Sequence, residues 1–106
     1  MIHVTININD DGLVYAFTMS GHADFDEYGK DIVCAGASAV VFGAVNAVIN
    51  MTKSEPMINM NEENGLFHFE VDDPDVEKLQ IILESMIISL KTIEDEYGEY
   101  INIKYL

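Results

Sequence analysis

The only thiol of the chain, Cys34, follows His22 by twelve residues in the stretch Gly21-His22-Ala23-Asp24-Phe25-Asp26-Glu27-Tyr28-Gly29-Lys30-Asp31-Ile32-Val33-Cys34. A cysteine is a strong nucleophile only as the thiolate, and this spacing offers two routes to it. A helix opening at Asp31 would bring partial positive charge and free backbone N–H groups to Cys34, and an imidazole at the end of a preceding strand could take the proton. The same first-turn N–H groups are placed to hold an oxyanion forming on a carbonyl that the sulfur attacks. Cys34 and His22 are therefore the candidate nucleophile and general base. Each has an ordinary explanation taken alone, since a free cysteine beside Ala35, Gly36, Ala37 and Ala39 is commonly a small packing residue. Their joint setting favours chemistry. Asp31 either orients the imidazole or acts only as a helix cap. Ser38, one turn after Cys34, either bonds near the sulfur or bonds back to the Cys34 carbonyl.

The segment between the two reads as a mobile acidic lid, hinged at Gly21 and Gly29, that gates the substrate. Its residues Asp24, Phe25, Asp26, Glu27 and Tyr28 are expected to make few contacts of their own. Asp24, Asp26 and Gly29 match positions one, three and six of a calcium-binding loop, but Tyr28 at position five and Ala35 at position twelve lack the required oxygen ligands. Zinc has no cysteine pair or paired-histidine pattern to bind, and no dinucleotide or phosphate-loop glycine pattern occurs. The expectation is an activity with no metal and no cofactor.

The elements that must position these residues follow from periodicity. Ile2, Val4, Ile6 and Ile8 alternate with His3, Thr5, Asn7 and Asn9, the period of a strand with one wet face. Asp10-Asp11-Gly12 turns the chain into a second strand, whose inward row is expected to be Leu13, Tyr15, Phe17 and Met19. Asp31 caps a helix over 32–50 that stops between Thr52 and Pro56. A second hairpin joins 57–61 to 66–71 around Glu62-Glu63-Asn64-Gly65. Pro74 is expected to open a second helix with Val76, Leu79, Leu83, Met86, Ile87, Leu90 and Ile93 on one face. After Gly98, Ile101, Ile103 and Tyr105 make a last strand. The order ββαββαβ predicts a single α+β domain over residues 1–106, a two-layer sandwich with a five-stranded mixed sheet and both helices on one face.

With 106 residues, 49% of them hydrophobic, the chain has one core to build, and 19 acidic against 5 basic residues leave a formal net charge of −14. That charge opposes binding to a phosphate backbone and favours basic protein partners. A single cysteine forms no internal disulfide, and Met1-Ile2-His3-Val4-Thr5 does not read as a secretory leader, so a cytoplasmic protein is expected. No charge occurs between Asp31 and Lys53. Gly36, Ser38, Gly43, Asn46 and Asn50 interrupt that segment, which therefore reads as a helix buried on several sides of a core rather than as a membrane span. Ile81 and Ile88, seven residues apart on the outer side of the second helix, offer an apolar face for self-association into a homodimer.

Gly21-His22-Ala23, the spacing to Gly29, and Asp31-Ile32-Val33-Cys34-Ala35 with Ser38 resemble the signature of the bacterial ribosomal-processing cysteine protease family, and length and element order extend the resemblance over the whole chain. It implies a Cys/His endopeptidase that removes a short N-terminal extension from ribosomal protein twenty-seven of the large subunit, after an aromatic residue and before a small one, and that forms homodimers. His22 and Cys34 match the catalytic pair, and Gly21, Asp31 and Ser38 match supporting positions. Gly36 departs from the alanine expected in many members. The alternative is a non-enzymatic acidic adaptor for basic ribosomal or assembly proteins, in which Cys34 only packs.

Overall fold

The structure, a computed structural model, describes residues 1–27 and 31–106. Strands β1 (Ile2–Ile8) and β2 (Val14–Ser20) precede helix α1 (Ile32–Met51), then β3 (Met57–Asn61), β4 (Leu66–Glu70), helix α2 (Glu77–Tyr97) and β5 (Ile101–Tyr105). This is the expected ββαββαβ order. The five strands form one sheet in the order β3-β4-β2-β1-β5, antiparallel except where β5 runs parallel to β1. The two helices cover one face and pack on each other.

The core lies between those layers. Phe17 stacks with Phe69 at 5.0 Å and with Phe67 at 6.0 Å between ring centroids, and Leu79, Leu83 and Leu90 of α2 are fully buried above the sheet. Each such side chain contributes about 1.5–3 kcal/mol relative to exposure.

Three expectations change. The inward row of β2 is Val14, Phe17 and Met19, which join the core, while Leu13 and Tyr15 stay half-exposed. The register shifts at Asn7–Ile8, so that Asn7 faces Ala16 and Ile8 faces Val14. Tyr15 becomes the extra residue of a bulge, and a bulge reverses the alternation on which the sequence pattern relies. Helix α2 opens at Glu77, three residues after Pro74, with Val76 as an extended N-cap that makes no side-chain cap bond. The Val76 amide instead closes a tight turn on the Pro74 carbonyl at 2.8 Å, and Gln80 Nε2 donates to the same oxygen. Helix α1 is buried along a single stripe, Val33, Ala37, Val41, Val45 and Val48. Ile32, Phe42, Ile49 and Met51 stay exposed. By length and composition α1 could cross a membrane, yet that stripe packs into the core of the sandwich.

Candidate active site

The site forms where the end of β2 meets the start of α1. At Gly21 the chain leaves β2 with φ +86°, and a Cβ there would overlap the Met1 carbonyl oxygen, so only glycine fits without rearrangement. The following residue, His22, is exposed, and Ala23 after it is buried. The Ala23 amide donates to Cys34 Sγ at 3.3 Å, which places the backbone next to His22 directly against the thiol.

Asp31 fixes the other side. Its Oδ1 accepts from the amides of Val33 and Cys34, both at 3.0 Å, and its Oδ2 accepts from the Phe25 amide at 3.0 Å. Both oxygens are thus committed to backbone donors, and Asp31 acts as a cap and as an anchor for the loop. Burial raises its carboxyl pKa, but the hydrogen bonds from Cys34, Phe25 and Val33 outweigh it and hold the pKa below the ordinary value. This arrangement also removes the expected oxyanion donors of the first helical turn. The Val33 and Cys34 amides already serve the carboxylate, and the Ala35 amide bonds the Asp31 carbonyl.

The thiol environment likewise differs from the expectation. Burial pushes the Cys34 pKa up, the Ala23 amide opposes this, and the negative charges of Asp31 and Asp24 add to the rise. A carboxylate at the N-cap thus adds to burial in opposing the positive end of the helix. We predict that iodoacetamide alkylates Cys34 slowly at neutral pH, at a rate still climbing where a free thiol is fully ionised. A rate already on its plateau at pH 8 would contradict this. Slow alkylation of the resting protein therefore does not separate a nucleophile from a packed cysteine.

His22 and Cys34 line one cavity of about 680 Å³, together with Gly21, Asp24, Asp26, Asp31 and Ser38. Ser38 lies one turn beyond Cys34, and among the described residues its hydroxyl bonds neither the sulfur nor the Cys34 carbonyl. Phe25 does not fit a loop with few contacts. Its ring meets Tyr97 and Tyr100 edge-on at 5.5 and 5.1 Å, and its amide is held by Asp31. Tyr28 and Gly29 lie outside the described residues.

Residues that sequence patterns did not point to complete the cavity. Phe42 of α1 and Phe67 of β4 meet edge-on at 5.1 Å, and Met19, Met60, Leu66, Glu62 and Gly65 line the rest. The Glu62-Glu63-Asn64-Gly65 turn reads in sequence only as a hairpin connection. Its return to the end of β2 follows from pairing β4 with β2, which no local signal specifies.

Comparison with known proteins gives this geometry its context. A family model described as cysteine protease Prp matches residues 1–102. The ribosomal processing cysteine protease Prp of Staphylococcus aureus is 51% identical over 105 residues, covering 99% of either chain. The Bacillus subtilis protein of that name is 46% identical over 107 residues, covering 97% of this chain and 96% of its own. A crystal structure of the essential ribosomal processing protease Prp from S. aureus, in complex with a covalently linked product peptide, superposes with a TM-score of 0.97 at 51% identity over the whole of each chain. The adaptor alternative gives way, because the likeness spans the whole chain and Cys34 opens onto a cavity instead of only filling the core. The chain is a cysteine protease and belongs to the Prp family.

Proposed function

We propose that this protease acts in ribosome assembly in the cytoplasm, removing the N-terminal extension of ribosomal protein twenty-seven of the large subunit, with Cys34 as nucleophile and His22 as general base. The observation that carries this reading is the shared cavity of His22 and Cys34, with the Ala23 amide on the sulfur, in a chain about half identical to proteases named for ribosomal processing. His22 takes the thiol proton, the thiolate attacks the scissile carbonyl, and protonated His22 gives the proton to the leaving amine before water hydrolyses the thioester. The Ala23 amide steadies the charge on sulfur in the first step. The apolar wall of Phe42, Met60, Leu66 and Phe67 suits an aromatic residue at the cleavage point. A ribosomal substrate is basic and meets a chain of net charge −14. A cation laid beside Asp24 would also offset part of the negative charge that adds to burial in raising the thiol pKa. Incubating the protein with the extended ribosomal substrate and weighing the products tests the proposal; an intact substrate, or cleavage at other sites only, rejects it.

The working form proposed is a homodimer. Ile81 and Ile88 of α2 are 59% and 61% exposed, as the sequence pattern implies, and a two-fold contact would bury both on each partner. Replacing both by glutamate is expected to shift sedimentation towards monomer, whereas added salt should tighten the wild-type dimer by screening the repulsion between two negative chains. A double variant that sediments with unchanged dimer affinity places the interface elsewhere.

A further inference from the structure

We infer that the turn between β3 and β4 positions the His22 ring, through the bare Cα of Gly65 and the carbonyl of Asn64. The inference rests on the reading of His22 as the base of the site. Strand β4 pairs with β2 in a register that sets Phe67 opposite Met19 and Glu70 opposite Ala16. Continued by two residues, that register brings Gly65 opposite Gly21, beyond the end of the regular ladder. There the Asn64 carbonyl accepts the Gly21 amide at 3.3 Å. Gly65 has φ +60°, and its own amide closes the turn on the Glu62 carbonyl at 3.2 Å. A Cβ at residue 65 would overlap the Gly21 carbonyl oxygen, and would stand 3.1 Å from the Gly21 carbonyl carbon and 3.2 Å from His22 Cε1.

The Gly21–Ala23 segment is therefore held from two sides. The turn abuts it at Gly21 and at the His22 ring, and the Ala23 amide ties it to Cys34 Sγ. An exposed imidazole with no other support would sample several rotamers, and proton transfer from sulfur needs one of them. Gly65 contributes no group to the reaction. It lets the turn come close enough to limit where the ring can go, which makes it a positioning residue for a base more than forty positions away in sequence.

Three variants separate the contact from the backbone conformation. G65A adds a Cβ at a positive φ. G65N adds the same Cβ, but asparagine tolerates that φ. G12A is the control, because Gly12 has φ +79° and a Cβ there would meet nothing within 4 Å. In G65A and G65N the His22 Hε1 resonance should move while those of His3 and His68 stay. Their kcat on an extended ribosomal peptide should fall by about 10²-fold, with a much smaller change in KM. G12A should match wild type in both measurements. Recovery of wild-type kcat and ring resonance in G65N would overturn the inference, since the glycine would then serve only the backbone angle, and so would an unmoved His22 resonance in G65A. Should neither variant fold, the wild-type protein decides by a nuclear Overhauser contact between His22 Hε1 and the Gly65 Hα protons, whose absence overturns the inference. A wild-type chain that leaves the peptide uncut would count against the proposed substrate, while the ring resonances would still judge the role of Gly65.

Discussion

Cys34→Ala is expected to reduce cleavage of the extended ribosomal substrate to background, and His22→Ala to reduce it by about 10²–10⁴-fold, the usual contribution of a positioned acid–base group. The folded state should survive both. His22 is exposed, and a surface truncation of that kind stays within about 0.5 kcal/mol. Cys34 is half-buried, and alanine in its place removes one sulfur atom and leaves the Ala23 amide without its acceptor, a cost of about 1 kcal/mol. Far-ultraviolet circular dichroism and a melting curve check the fold, and a mass-resolved time course checks the chemistry. Turnover close to wild type in either folded variant would remove that residue from the mechanism. The two losses should not add in the double variant, because the base acts only by activating the nucleophile.

Asp31→Ala has the largest expected effect on stability. It strips the acceptor from three backbone amides, those of Phe25, Val33 and Cys34, two of which open α1 and one of which holds the loop. Loss of such a cap costs about 2 kcal/mol, roughly 8–16 °C in melting temperature for a domain of this size. The effect should depend on pH in a defined direction. The folded carboxyl pKa lies below its ordinary value of 3.8, so the contribution is complete above that value and disappears as pH falls through the folded one. The melting curves of wild type and D31A should therefore converge in acid and differ most at neutral pH. Asp31→Asn keeps the shape of the cap but removes the charge, and should lower the Cys34 pKa. Alkylation of D31N at neutral pH should then be faster than that of wild type. A D31N rate equal to or below wild type would show that burial alone keeps the thiol protonated.

The balance at Cys34 illustrates what a one-dimensional pattern conveys and what it omits. Asp31 three residues before Cys34 is a legible N-cap, and the structure places it there. A cap satisfies amides by bringing an anion to them, however, and that anion stands beside the sulfur whose ionisation the helix end was expected to favour. Which effect prevails depends on how deeply the thiol is buried and on where Asp24 lies, and both are properties of the folded chain.

Residue order alone conveys the succession of elements, the α1 cap, the Leu79–Leu90 face of α2, the exposed pair Ile81 and Ile88, and the candidate pair His22 and Cys34. These are matters of local periodicity, capping chemistry and residue type, all of which act over a few residues. Tertiary structure decided the rest. The bulge at Tyr15 moved the start of the inward row of β2 from Leu13 and Tyr15 to Val14, while Phe17 and Met19 kept their places, because strand register depends on the partner strand. Phe25 settled against Tyr97 and Tyr100, more than seventy positions away, because the end of α2 and the start of β5 lie beside the loop. Phe42, Met60 and Phe67 became the wall of a cavity, and Gly65 came to lie beside Gly21 and His22, because β4 inserts between β2 and β3 in the sheet. Contacts of that kind arise from pairing between distant segments, for which neighbouring residues carry no signal.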